Sequence, residues 1–388
     1  MTINRVTIFQ LNWGQLAPIW HPVVVKVETT SGQAGWGEAG VAYGVGAKGV
    51  VDTIKELAPR VIGQDPWNTN AIWQDCYEHT FWAKNPGTGM YAAISALDTA
   101  LWDLKARSVH QPLYQLLGGC LRDQLPAYAS HIESGWGPFS RYVTAPHDFA
   151  RLARRAVDAG YTAIKVDPIT QERGHTILAN RRLLSPAQLD CYYQRVAAIR
   201  HAIGPQTRII IDCHANLTRR SAQQLIQRLE PLGIDYYEEL LPTIDPQQTV
   251  QLARLTGANL AVGEHLAGPQ TYLSLIKDVA VVQPDLGTCG GITAAVKIAA
   301  LATATGAGLQ LHVCGSPIAT AAALQFEAAS SSFLIHEEHE INLKAANYES
   351  GRYHYQPQTG QYTVPQRPGI GQELSSAAIE RADVIIVK

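Results

Sequence analysis

Residues 208–265, RIIIDCHANLTRRSAQQLIQRLEPLGIDYYEELLPTIDPQQTVQLARLTGANLAVGEH, decide the fold. Three short apolar runs begin here, at Arg208, Asp235 and Leu260, and each ends in an acid: Asp212, then Glu238 with Glu239, then Glu264. Amphipathic stretches of helix length separate them. A strand, a helix and a strand at this spacing are the grammar of a parallel sheet. The alternation continues outward in both directions. PAYASHI begins at Pro126 and TAIKVD at Thr162; AVVQPD begins at Ala280, GLQLHVC at Gly308 and SFLIHEE at Ser332. Eight such runs predict a closed parallel barrel rather than an open sheet. The longest step, from Thr162 to Arg208, holds the polar stretch ITQERGHTILANRRLLSP (169–186), read as an extended loop at the active-site end.

Before residue 125 the grammar differs. VVVKVETTSGQAGWGEAG (23–40) reads as a β-hairpin about a Ser-Gly turn. Residues 48–122 read as helices: Ile94, Leu97, Leu101 and Leu104 recur at helical spacing, with Gly118-Gly119 as a stop. The expected fold class is therefore α/β, a (β/α)7β TIM-like barrel with an N-terminal α+β capping domain. The capping domain is assigned to 1–125 and the barrel to 126–350. A C-terminal segment, 351–388, is expected to return to the capping domain.

The bulk properties narrow the function classes. Of 388 residues 46% are hydrophobic and 16% charged, which supplies a large core and argues against disorder. The net charge is -2 and no Lys/Arg stripe occurs, so no nucleic-acid partner is expected. No apolar run reaches membrane-spanning length, and no membrane association is expected. The six cysteines form no CxxC pair, so neither a zinc site nor a disulfide framework is indicated. The start MTINRVTIFQLNWGQ does not read as a signal peptide, and the expected location is cytoplasmic.

In a parallel barrel the chemistry sits at the C-terminal strand ends. Asp212, Glu238 and Glu264 end three consecutive runs and so converge on one side of the mouth. Three like charges this close repel strongly unless a divalent cation neutralises them. Hard oxygen donors select Mg²⁺, with Mn²⁺ the nearest competitor. The plainer alternative is that one or two of these acids cap helices or pair with Lys or Arg. Across the mouth, Lys165 and Asp167 end TAIKVD, Asp285 ends VVQPD, His312 ends LQLH and Glu337 ends FLIHE. Asp285 and His312 lie on neighbouring strands, where a carboxylate orients an imidazole and raises its basicity.

Taken together, ALDTALWDLKAR, PLYQLLGG, KVD, DCHAN, YYEELLP, GEH, PDLGTCGGIT, HVCGSP, FLIHEE and PGIG resemble the enolase superfamily, and within it the mandelate racemase-like acid-sugar dehydratases. The resemblance implies Asp212, Glu238 and Glu264 as ligands of Mg²⁺ and His312, backed by Asp285, as the base that forms an enediolate. It implies Glu337 as a carboxylic acid bonded to the substrate carboxylate, and Lys165 as added positive charge. The implied substrate contacts are Asp167, Asn216, His265 and Glu337, with a loop around Asn12–Trp20 closing over a small acid sugar. A homo-oligomer is implied as well.

Three departures refine this. Asp167 stands where racemases of the group carry a second, lysine base. His214 stands two residues past the first ligand, where racemases have Asn and galactonate- and mannonate-type dehydratases have His. Leu240 replaces the proline that usually follows the Glu-Glu pair. The first two favour an aldonate dehydratase, with His214 donating a proton to a departing hydroxyl. The alternatives are an aldarate dehydratase, a cycloisomerase, a racemase or epimerase on the same chemistry, or an inactive metal-binding homologue. A di-acid substrate needs a second cationic pocket, for which Lys84, Arg173, Arg181 and Arg182 are candidates.

Overall fold

The computed structural model describes residues 1–13, 19–85, 87–139, 141–170 and 183–388. The chain opens with three strands, β1 (Ile3–Gln10), β2 (Val23–Thr29) and β3 (Ala34–Ala39). The β2–β3 hairpin turns at Ser31-Gly32, where Gly32 takes a φ of 82°. Helices α1 (Ala47–Val61), α2 (Thr69–Glu78) and α3 (Thr88–Ser108) follow, with the short α4 (Leu113–Leu116). The helical run expected to reach Gly118 is broken at 109–112, because Pro112 cannot continue α3 and His110 turns left-handed at φ 55°. Val6, Ile8, Val23, Val25 and Val27 of the sheet and Ile54, Leu97 and Leu101 of the helices share one core.

The barrel follows as β4 (Gln124–Ser130), α5 (Pro146–Asp158), β5 (Ala163–Val166), α6 (Pro186–Ile203), β6 (Arg208–Asp212), α7 (Arg219–Leu229), β7 (Tyr236–Glu238), α8 (Pro246–Thr256), β8 (Leu260–Val262), α9 (Pro269–Tyr272), β9 (Val281–Val282), α10 (Gly291–Thr305), β10 (Gly308–Leu309), α11 (Pro317–Ala329) and β11 (His336–His339). Every neighbouring pair is parallel, in the order β10-β9-β8-β7-β6-β5-β4-β11. The ring closes where Leu309 pairs with the start of the last run: its N–H donates to Ser332 and its carbonyl accepts from Leu334, both at 2.8 Å. That run serves both neighbours, Phe333–Leu334 meeting β10 and His336–His339 meeting β4. The architecture is the expected (β/α)7β barrel. Helix starts are written locally. Ser185 and Thr218 form capping boxes with Gln188 and Ser221, and Asp245 and Ser316 cap α8 and α11 ahead of Pro246 and Pro317.

The chain ends through α12 (Ala345–Tyr348), β12 (Gln361–Thr363), α13 (Ser376–Arg381) and β13 (Asp383–Val387). This last stretch serves both halves of the molecule: β12 adds antiparallel to β4, while β13 adds to β1 in the N-terminal sheet. Among the described residues no helix is long and apolar enough to cross a membrane.

Candidate active site

The strands place the site by their period of two. Tyr128, Ala163, Ile210, Tyr236, Ala261, Val281 and Ile335, one from each of seven runs, form an apolar layer inside the barrel. Side chains two positions on share the same face. They are Ser130, Lys165, Asp212, Glu238, Gln283 and Glu337, with the bare backbone of Gly263 at the seventh position, so a polar ring lies directly above the apolar layer toward the C-terminal ends. Two residues further come Asp167, His214, Asp285 and His339, at the mouth.

The ring is centred on Lys165, which is fully buried. Its ammonium lies 3.2 Å from Asp212 Oδ2 and 2.8 Å from Glu337 Oε1, and it donates to Glu238 Oε1. Burial pushes its pKa down, but the charges of Glu238 and Glu337 outweigh burial and hold it well above its ordinary value. Glu238 also accepts from Gln283 Nε2 at 2.6 Å, and burial pushes its carboxyl up to about 8. Burial acts the same way on Asp212, yet the charges of His214 and Lys165 prevail and hold that carboxyl well below its ordinary value.

Glu337 corrects an expectation. Its Oε1 accepts from Ser130 Oγ at 2.7 Å and faces the ammonium, and its Oε2 accepts from the Val313 N–H at 2.8 Å. Every neighbour donates. Against burial, Lys165 and His312 hold it well below the usual carboxylate range, so it is an ionised acceptor here and not a proton-donating acid.

Two imidazoles stand at the mouth, each with its own carboxylate. His312 Nδ1 lies 2.7 Å from Asp285 Oδ2, and its Nε2 faces Glu264 Oε2 at 3.2 Å. His214 Nδ1 lies 3.0 Å from Asp167 Oδ2, and its Nε2 lies 3.6 Å from Asp212 Oδ2. Burial lowers both imidazoles, but Glu264 and Asp285 raise His312, and Asp212 and Asp167 raise His214, each well above its ordinary value. Glu264 is out of phase with the strand pattern. It is reached through Gly263, whose backbone runs so close to Gln283 that a Cβ would lie 2.4 Å from the Gln283 carbonyl carbon. Only glycine fits there, and the turn beyond it brings Glu264 round to His312.

Two further expected substrate contacts are otherwise engaged. Asp167 accepts from the Ile169 N–H at 2.8 Å and orients His214. Asn216 spends its amide N–H groups on the carbonyls of Cys213 and His214, at 3.0 and 2.7 Å, and so shapes the turn in which His214 and Ala215 take φ values of 46° and 57°. His265 lies 3.4 Å from both Glu239 Oε2 and Glu264 Oε1, and its bond to Glu239 raises its pKa to about 9. Lys84 donates to the Glu78 carbonyl at 2.8 Å. Arg173, Arg181, Arg182 and most of the expected 169–186 loop lie outside the described residues, as do residues 14–18 of the Asn12–Trp20 loop.

The sequence matches known family models over most of the chain. Residues 19–118 match the mandelate racemase / muconate lactonizing enzyme N-terminal domain, and residues 148–378 match the family described as enolase C-terminal domain-like. The chain belongs to the enolase superfamily. It is 30% identical to the D-galactonate dehydratase of Pectobacterium atrosepticum, covering 98% of this chain and 94% of that enzyme. It is also 30% identical to the D-gluconate dehydratase of Thermoproteus tenax, covering 93% of this chain and 69% of that enzyme. A crystal structure of an enolase-superfamily member from Salmonella Typhimurium superposes with a TM-score of 0.95 at 39% identity over 100% of both chains.

For an enolase-superfamily site, the donor set suits a hard divalent cation. Asp212, Glu238 and Glu264 offer only oxygens, and Asp212 Oδ2, though buried 3.2 Å from the Lys165 ammonium, accepts no hydrogen bond. The structure also exposes residues that sequence reading passed over. His131 follows β4 with a left-handed φ of 57°, stacks on His214 with centroids 4.9 Å apart, and meets His339 edge-on at 4.6 Å. His131, Asp212 and His214 bring ligand atoms within 4.8 Å of one another. Burial and the neighbouring His131 hold His339 well below its ordinary pKa. The period of two marks His339, two past Glu337; nothing local marks His131.

Proposed function

We propose that this chain is a divalent-metal-dependent hydro-lyase that dehydrates an aldonic acid to a 2-keto-3-deoxy acid. The observation that carries the reading is the pair of imidazoles, each oriented by its own carboxylate, on either side of a carboxylate cluster. One takes a proton and the other gives one. Asp212, Glu238 and Glu264 would hold Mg²⁺, for which Mn²⁺ would substitute; when bound, the cation supplies Lewis-acid stabilisation to the substrate carboxylate.

His312, held by Asp285 and acting in its neutral form, removes the proton from carbon 2, and the electron pair moves into the carboxylate to give an enediolate. His214, held as an imidazolium between Asp167 and Asp212, protonates the hydroxyl leaving carbon 3. The resulting enol tautomerises to the keto acid. Lys165 adds fixed positive charge beneath the site, buried where water cannot screen it. Asp167 in place of a second basic lysine disfavours a two-base racemase.

The test is a panel of aldonic and aldaric acids with Mg²⁺, read for 2-keto-3-deoxy products. Dehydration of an aldonate is expected. Dehydration confined to di-acids would move the substrate class. Exchange of the carbon-2 proton with no loss of water would overturn dehydration in favour of racemisation or epimerisation.

A further inference from the structure

Strand β3 of the N-terminal sheet ends in Trp36-Gly37-Glu38-Ala39 and, with Gly40 just past it, runs against the two barrel loops that carry Asp285 and His312. Glu38 is buried. Its carboxylate accepts from the Ser316 N–H at 2.9 Å, from Ser316 Oγ at 2.5 Å and from the Ala319 N–H at 3.2 Å. These are the cap and first turn of α11, where backbone N–H groups have no helical partner and an acid is favoured. Three residues separate this anchor from His312, and the first of them, Val313, donates to Glu337.

Gly40 holds the other loop. Its N–H donates to the Gly287 carbonyl at 2.8 Å, and the Gly287 N–H donates to Asp285 Oδ1 at 2.6 Å. A Cβ on Gly40 would lie 2.8 Å from Thr288 Cγ2 and 3.0 Å from Asp285 Oδ1, and a Cβ on Gly287 would lie 2.4 Å from the Gly40 nitrogen. Glu38, Gly40, Asp285, Gly287, His312 and Gly315 line one small cavity.

We propose that Glu38 is a positioning residue: through Ser316 it fixes the loop that presents His312, while Gly40 two residues on fixes the loop that presents Asp285, so the capping strand sets the separation of the pair. An interdomain tie that served stability alone would need neither bond to fall on the loops of the pair. The effect on turnover rests on the dehydratase reading; the effect on geometry does not.

The experiment compares Mg²⁺-loaded wild type with Glu38→Ala, Glu38→Gln and Gly40→Ala, by crystallography and by steady-state kinetics. In Glu38→Ala the His312–Asp285 separation is expected to lengthen from 2.7 Å to beyond about 3.2 Å, out of hydrogen-bond range. kcat is expected to fall about 10- to 100-fold with KM unchanged within about twofold, the scale of a misplaced catalytic group. Glu38→Gln, which keeps one acceptor oxygen, falls between. Gly40→Ala, which pushes on Thr288 and Asp285 with Glu38 intact, gives the same split for the Asp285 loop, and Glu38→Gln decides the role of Glu38 should Glu38→Ala fail to fold. A separation that stays at 2.7 Å in folded variants overturns the proposal, as does a change confined to KM or to melting temperature. A wild type inert to every sugar acid defeats the dehydratase reading alone, and the crystallographic comparison still decides the role of Glu38.

Discussion

Replacing Lys165 by methionine tests the electrostatics of the polar ring directly. Methionine keeps the stem's volume and deletes the charge. The ammonium lies 3.2 Å from Asp212 and 2.8 Å from Glu337, with Glu238 in contact as well. At an effective dielectric constant of about 20 the first two attractions are worth about 5 and about 6 kcal/mol gross. Desolvating a buried ammonium cancels several kcal/mol of this, and removing one partner of a buried ion pair costs about 3–5 kcal/mol net. With an unfolding entropy of about 0.8 kcal/mol/K for a chain of this length, the melting temperature should fall by about 4–6 °C. The assay is thermal unfolding followed by circular dichroism in EDTA, repeated with excess Mg²⁺. The deficit should widen as pH rises, since carboxylates left without the ammonium escape their penalty only by taking up protons. It should narrow with Mg²⁺, because the variant's uncompensated carboxylates bind the cation more tightly than those of the wild type and so gain more stability by mass action. A fall of less than about 1 °C in EDTA, or equal stabilisation of both proteins by Mg²⁺, would refute the assignment of Lys165 as the counter-charge of these carboxylates.

His312→Asn should lower kcat by about 10²- to 10⁴-fold, the usual contribution of one general base, with metal content by elemental analysis unchanged. His214→Asn should abolish the 2-keto-3-deoxy product yet retain exchange of the carbon-2 proton in deuterated water, followed by proton NMR; loss of exchange would remove His214 from the donor role. Asp98 in α3 accepts from the Thr293 N–H and hydroxyl at 2.8 and 2.7 Å, and burial pushes its carboxyl from 3.8 up to about 7. The folded state therefore holds this proton to higher pH than the unfolded chain does. The stability it contributes is complete below about pH 3.8 and lost as pH rises to about 7, so Asp98→Asn should flatten the melting-temperature profile across that window.

Most of the site was legible because one period governs it. Ile210, Asp212 and His214 share a face, as do Ala163, Lys165 and Asp167, and each apolar residue fixes which face the next two occupy. The alternation of runs and helices carried the barrel for the same reason, since each strand and helix is encoded within its own residues. What escaped depends on partners distant in the chain or on backbone outside the extended region. Glu38 meets Ser316 across 278 residues, and no local pattern announces that contact. His131 reaches its stack through a left-handed φ, which strand periodicity cannot foresee. The groups that donate to Glu337 come from Ser130 at the end of β4 and from Val313 in the loop after β10, so nothing local in the sequence shows its surroundings.

The adjacent acids Glu238 and Glu239 show how the same rule decides a harder case. In an extended chain two neighbours cannot face the same side, so only one of them belongs to the polar ring. Register gives that place to Glu238, paired with Asp212 across β6 and β7. Glu239 then leaves the strand at a φ of 40°, its carbonyl accepting from the Ala215 N–H at 2.5 Å and its side chain from the Gly263 N–H at 2.8 Å. A strained turn held from both neighbouring loops does not need proline after it to fix the chain's path. Leu240 accordingly uses its side chain to fill the core shared with Leu217 and Leu241, while its carbonyl accepts from the Leu217 N–H at 3.1 Å. The departure at this position therefore changes how the loop is packed and leaves Glu238 aimed where the strand period puts it.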